Sequence, residues 1–252
     1  YTKSTFFEDS DYDRVNLIIN EYLSKKNDLT SDTIIANIRK DKNLIELLHS
    51  EKFKLISIKM LNDIFGYDDF EDYPIANARV RCNYPDNSHS SYLNQAKWHQ
   101  DVGTWQDKKH DLWNYISFTV WVPIFSLRND NGLYVEKKAN HHLHDHVKSK
   151  GSIKMFERLE ENIIKGKMYK TTEDIKCLIF SSYHFHRSIK SNKNIRVSLD
   201  RRFFSKKMNE DLISNNINLS YDKTVHVKRL FDFIPKFSKL IDITFNKKNK
   251  KL

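Results

Sequence analysis

The hydrophobic rhythm of this chain changes once, near Pro74, and that change restricts it to folds in which helices come first and an antiparallel sheet follows. Before Pro74 the spacing is helical. Residues 11–25, DYDRVNLIINEYLSK, carry Val15, Ile18, Ile19, Tyr22 and Leu23 at intervals of three and four, the stripe of an amphipathic helix. A second helix is predicted from Ser31, with SDTI as its N-cap, and a third through KNLIELLHSEKFKLISIKMLNDIF up to Gly66. After Pro74 the runs shorten and become β-branched and aromatic: ARVRCNY, NYISFTVWVPIF, GLYVE, DIKCLIF and IRVSLDRRFF, separated by asparagine, aspartate and glycine turns. One helical insertion, SIKMFERLEENIIKG, is expected among them. The expected class is therefore α+β, with residues 1–70 a mainly helical extension, residues 75–205 a strand-built core, and no doubly wound parallel sheet. There is no internal repeat and no Pro/Gly/Ser linker, so the 252 residues are expected to form a single domain.

Composition narrows the function less than the fold. The formal charge is +10, and lysines thicken in the terminal FNKKNKKL, so residues 244–252 are expected to be a disordered basic tail. Such a balance suits nucleic acid, an anionic membrane or an anionic small molecule, and equally a solvated basic surface. No helix-turn-helix, RNA-recognition or zinc-finger signature accompanies the charge, which argues against nucleic acid as a partner. Two cysteines, Cys82 and Cys177, are too few and too far apart for a disulfide framework, so a reducing cytoplasm is the expected compartment. No apolar run approaches the ~18 residues of a membrane span, and no signal peptide is visible. A chain that begins at Tyr1 is also compatible with a removed leader or preceding domain.

The stretch KWHQDVGTW carries the chemistry. Side chains alternate along a strand, so His99 and Asp101 share a face and can reach one cation together. A third ligand is available in SSYHFHRS, where His184 and His186 again share a face. Two histidines and a carboxylate form the facial set that holds Fe(II) with open positions for co-substrate and O2, and a sulfur-free set suits iron better than structural zinc. Arg196 follows His186 within the strand IRVSL and offers a guanidinium for the distal carboxylate of a keto acid. Ser188 shares a face with His186. In ARVRCNY, Arg79, Arg81 and Asn83 share a face, either as polar groups toward a site or as an outward solvated row.

In that order, RVRCNYP, KWHQDVGTWQDKKHDLWNYISFTVWVPIFSLRNDNGLYVE and HFHRS followed by Arg196 resemble the phytanoyl-CoA dioxygenase-like, Fe(II)/2-oxoglutarate-dependent oxygenases, the ectoine hydroxylase branch in particular. The resemblance runs over residues 77–204. It implies a double-stranded β-helix, a jelly-roll or cupin-like barrel, with the N-terminal helices packed outside. It also implies His99, Asp101 and His186 as iron ligands, Arg196 as the salt-bridge partner of 2-oxoglutarate, and Asn83, Ser188 and Trp105 beside that co-substrate. His186 is preferred to His184 for its spacing to Arg196 and for Ser188 two positions on. Relatives usually carry Pro-Gly-Ser-His after the Asn-Gly strand, where this chain reads KKANHH.

The implied reaction is hydroxylation of a polar small molecule or sugar unit, possible in glycan or specialised-metabolite biosynthesis, with Fe(II), 2-oxoglutarate and O2 consumed or held and succinate and CO2 released. Related halogenases lack the carboxylate, so Asp101 favours hydroxylation, while desaturation and epimerisation stay open. Arg79 and Arg81 are candidates for an anionic substrate. The second class is a catalytically silent β-barrel that only captures metal or ligand. The histidine tract HHLHDHV (His141, His142, His144, His146) reads as a surface or rim loop, and Trp98, Trp105, Trp113 and Trp121 as core or pocket wall.

Overall fold

The structure, a computed structural model, describes residues 6–74, 78–85, 98–101, 115–136, 146–149, 152–155, 168–189, 193–214 and 241–244. Four helices come first: α1 (Asp9–Ser24), α2 (Ser31–Lys40), α3 (Lys42–His49) and α4 (Glu51–Phe65). Their ends follow from local chemistry. Thr30, one residue before the expected cap, accepts from Thr33 N at 3.2 Å and starts α2. The long third helix anticipated from the sequence is two helices, because Ser50 turns its hydroxyl to Phe53 N and restarts the chain as α4. A serine that can satisfy an orphan amide competes with continuing the helix through it. Gly66, at φ 81°, closes α4 in the left-handed conformation that only glycine adopts without cost.

The strands are β1 (Phe70–Asp72), β2 (Ala78–Asn83), β3 (Phe118–Phe125), β4 (Leu133–Glu136), β5 (His146–Ser149), β6 (Ser152–Met155), β7 (Met168–Lys170), β8 (Ile175–Ser181), β9 (His186–Ser188), β10 (Arg196–Ser205) and β11 (Ile241–Thr244), with helix α5 (Lys206–Ser214) after β10. All described pairings are antiparallel. The main sheet runs β1-β10-β3-β8-β11, with β2 also on β10; a second sheet runs β7-β4-β9. This is a mixed helix and antiparallel-sheet fold, as the change of rhythm requires. Two details differ from expectation. Ser152–Met155, the start of the expected helical insertion, is a strand on His146–Ser149, because a ladder with a neighbouring segment outweighs a helical period in so short a run; residues 156–166 lie outside the described residues. Ile241–Thr244 adds a strand to β8 from beyond the expected core. His146 thus lies in β5 and not in a loop, while His141, His142, His144 and residues 245–252 of the tail lie outside the described residues.

Alternation along the strands sorts the two faces. Val80 and Cys82 of β2, Phe118, Val120, Val122 and Ile124 of β3, and Val197, Leu199 and Phe203 of β10 join the helices in the larger core. Arg201, on the same face of β10, clamps helix to sheet, with Nε and Nη2 on Asp72 at 2.6 and 2.7 Å and Nη1 on Leu48 O at 3.1 Å. On the other face, Trp121, Leu133, Val135, Leu178 and Phe180 form a second cluster that joins the main sheet to β4. The polar cleft described below opens between those two sheets. No helix among the described residues is long and apolar enough to cross a membrane.

Candidate metal centre

Backbone pairing brings the His-x-Asp segment to β9. His99 and His186 form an antiparallel bridge, with N–H to O=C distances of 3.1 and 3.0 Å, so their imidazoles stand side by side with centroids 4.2 Å apart. Asp101 follows on the same face, and its Oδ1 lies 3.8 Å from Nε2 of both histidines. One ligand atom from each of the three residues falls within 4.8 Å of the others, the spacing a single cation requires.

The surroundings suit that use. Nδ1 of His186 lies 3.0 Å from the carbonyl of His184, which can only accept, so Nδ1 carries the proton and the Nε2 lone pair points to the centre. Burial pushes the His186 pKa below its usual range despite the pull of Asp101, keeping the ring neutral as a ligand must be. Burial acts on Asp101 in the opposite sense, but Arg202, His186 and His99 together hold its carboxyl well below the ordinary range. His184 is excluded from the cluster: its Nδ1 accepts from Ser181 N at 3.1 Å and lies 2.9 Å from Ser181 Oγ, fastening the turn before β9.

The cleft that holds the three side chains is also lined by Arg196, Ser188 and Leu133. Arg196 is 2% exposed, donates from Nη1 to Gly132 O at 2.8 Å and from Nη2 to Ser188 Oγ at 3.3 Å, and has its guanidinium carbon 5.5 Å from the Trp121 ring centroid. Its Nε is buried and has no hydrogen-bond partner among the described residues. Burial lowers its pKa to about 10, which leaves it charged at neutral pH. A buried cation with an unsatisfied donor beside a metal-ligand cluster fits a bound dicarboxylate.

No protein-family model matches the sequence, and no curated protein matches it. Solved structures similar in fold include EvdO2 from Micromonospora carbonacea var. aurantiaca complexed with 2-oxoglutarate, 13% identical over 67% of this chain and 65% of that chain, with a TM-score of 0.44. This chain thus spans just under two thirds of EvdO2. The epimerase SnoN in complex with Fe3+, alpha ketoglutarate and nogalamycin RO is 11% identical over 81% of this chain and 77% of that chain, TM-score 0.49. EctD from S. alaskensis with 2-oxoglutarate and 5-hydroxyectoine is 13% identical over 81% and 71%, TM-score 0.47. At these scores the likeness carries no argument about chemistry, which rests on the side chains of the cleft.

Of the residues singled out in the sequence, His99, Asp101, His186, Ser188, Arg196 and Arg81 line the cleft together. Arg79 and Asn83 share the face of Arg81 but do not line it; Arg79 is exposed, and Asn83 donates to Ile189 O at 2.6 Å. Trp105 lies outside the described residues. Trp121 stands in the wall, as expected, whereas Arg202, Thr119, Asp200, Leu133 and Phe180 were not anticipated there. Arg202 and Thr119 hold Asp101, Asp200 accepts from Arg81 Nε at 2.7 Å, and Trp121 donates to Ser198 Oγ at 2.9 Å. A signal exists for two of the unanticipated residues: period-two alternation in RVSLDRRFF puts Asp200 and Arg202, with Ser198, on the face of Arg196.

Proposed function

We propose that this protein is an Fe(II)/2-oxoglutarate-dependent dioxygenase of the phytanoyl-CoA dioxygenase-like type that hydroxylates a polar, anionic small molecule or sugar unit. The observation that carries the reading is the convergence of His99, Asp101 and His186 within 4.8 Å in a cleft that also holds the buried Arg196. In this reading the two facing sheets close as a double-stranded β-helix with the helices outside, in one domain spanning the chain. Buried free thiols at Cys82 and Cys177 suit the cytoplasm.

His99, Asp101 and His186 would hold Fe(II), a three-residue set that leaves coordination positions for co-substrate and O2. When bound, the iron with 2-oxoglutarate and O2 supplies the oxidant, so that one oxygen atom enters the substrate as hydroxyl and the other leaves in succinate, with CO2. Arg196 anchors the distal carboxylate of 2-oxoglutarate, with Ser188 beside it. Leu133, Trp121 and Phe180 wall this part of the cleft with apolar surface and exclude water, which strengthens the ionic contact they surround. Three guanidinium groups, those of Arg81, Arg196 and Arg202, face two carboxylates, Asp101 and Asp200, in the lining. Arg202 is paired with Asp101 and Arg196 is taken by the co-substrate, so the reading of an anionic substrate rests on Arg81, which shares Asp200, and on the exposed Arg79 of the same strand face.

Protein loaded anaerobically with Fe(II) and 2-oxoglutarate and then exposed to O2 is expected to form succinate even without its substrate, and anionic sugars and other small anions that raise the yield are substrate candidates. Asp101→Ala and His99→Ala lose metal and succinate formation together. An unchanged succinate yield in either variant refutes the assignment, whereas metal binding without succinate formation in the wild type favours the silent binding module.

A further inference from the structure

The second oxygen of Asp101 is not turned toward the histidines. Its Oδ2 receives Arg202 Nε at 2.9 Å, Arg202 Nη2 at 2.8 Å and Thr119 Oγ1 at 3.1 Å, while Oδ1 faces Nε2 of His99 and His186. These donors have a common origin. Arg202 of β10 and Thr119 of β3 are direct cross-strand partners, so the register of the central sheet sets both on the same side of the carboxylate. Arg202 is 2% exposed and Thr119 1%. A guanidinium withdrawn that far from water is tolerated when a well-placed anion meets it, and a carboxylate next to it is the natural occupant.

We infer that Arg202 and Thr119 form an anion seat beneath the metal position, which holds Oδ2 of Asp101 and so makes Asp101 a one-oxygen ligand through Oδ1. Arg202 is a positioning residue, acting through Asp101. The inference rests on the reading of His99, Asp101 and His186 as metal ligands and goes beyond it, because an unassisted carboxylate can turn to chelate with both oxygens and close a position needed by co-substrate or O2. Three donors on one oxygen oppose that rotation. The seat is formed by the sheet and not by Asp101, so it persists when the Asp101 side chain is removed.

Two variants and a small carboxylate test this, with Co(II) as the probe metal and formate as the probe anion, in the full chain. Wild type should bind Co(II), with an absorption spectrum indifferent to formate. Asp101→Ala should bind Co(II) weakly, and formate should recover roughly tenfold or more of the affinity, the scale at which outer-shell partners act on metal sites. In Asp101→Ala/Arg202→Gln the formate effect should disappear, which a purely structural Arg202 would not cause. Should that double variant not fold, Asp101→Ala/Thr119→Val removes one donor at little change of shape and should weaken the rescue several-fold. Equal rescue with and without Arg202, or no rescue in Asp101→Ala, overturns the seat while leaving the metal site standing. Failure of the wild type to bind Co(II) overturns both.

Discussion

If Arg196 anchors 2-oxoglutarate as proposed, replacing it should separate co-substrate binding from metal binding. The side chain is buried against Trp121, uses Nη1 on Gly132 O and Nη2 on Ser188 Oγ, and has no partner for Nε among the described residues. Arg196→Ala removes the cation and its fork of donors. Gly132 O retains the amide of Ile189 at 2.9 Å, so it is not left unpaired in the variant. A hydrogen bond to a charged group contributes about 1.5–3 kcal/mol, so losing an ionic anchor from the low-dielectric cleft should cost about 3 kcal/mol, roughly 100-fold in the 2-oxoglutarate Kd. Arg196→Lys keeps the charge and loses the paired geometry, and should fall between, at roughly tenfold. Calorimetric titration of 2-oxoglutarate into Mn(II)-loaded protein reads both values, and a separate Mn(II) titration should move little. A 2-oxoglutarate Kd that changes less than about threefold in Arg196→Ala, with the metal still bound, would mean that another group holds the co-substrate.

Gly132→Ala should raise the 2-oxoglutarate Kd without releasing metal, because the new Cβ would run into Thr171 Oγ1, the acceptor for Leu133 N, and move the carbonyl that holds Arg196. The overpacking should also cost about 1–3 kcal/mol in urea unfolding, and a variant of unchanged stability and affinity would contradict it. The metal-free protein should lose stability as pH falls below the ordinary histidine range, about 6.5. The His186 pKa is lowered in the folded state, chiefly by burial, so the unfolded chain binds the proton first: the contribution is complete above the unfolded pKa and is lost toward the lower folded one. Urea unfolding between about pH 7.5 and 5.5 should therefore show a shallower slope in His186→Gln, and identical slopes would refute the assignment.

How much of this was legible beforehand depends on the range of the interaction. His99 and Asp101 could be paired from alternation alone, since two residues apart in an extended segment share a face whatever the sheet around them. Arg202 could be placed on the face of Arg196 by the same rule, yet nothing in the chain's order says that it meets Asp101, 101 positions away. The helix break at Ser50 is local chemistry, but a continuous apolar period across it concealed the cap. His184 and His186 are indistinguishable by period; spacing to Arg196 and Ser188 favoured His186, and a turn supplies the physical reason, since Ser181 N reaches back to His184 while the bridge to His99 takes His186.

What the sequence determined by itself is what repeats at short range: helices before strands, the inward and outward sets along each strand, and a His-x-Asp pair able to share a cation. Tertiary structure decided that His99, Asp101 and His186 come together, that Arg196 is anchored on Gly132 O, and that the β10–β3 register places Arg202 and Thr119 at one carboxylate oxygen. The reason is physical. Backbone geometry imposes periods of 3.6 and 2 on any chain, so faces can be read locally. Which faces meet is settled by sheet register and by the burial of charge against charge, and those exist only once distant strands have paired.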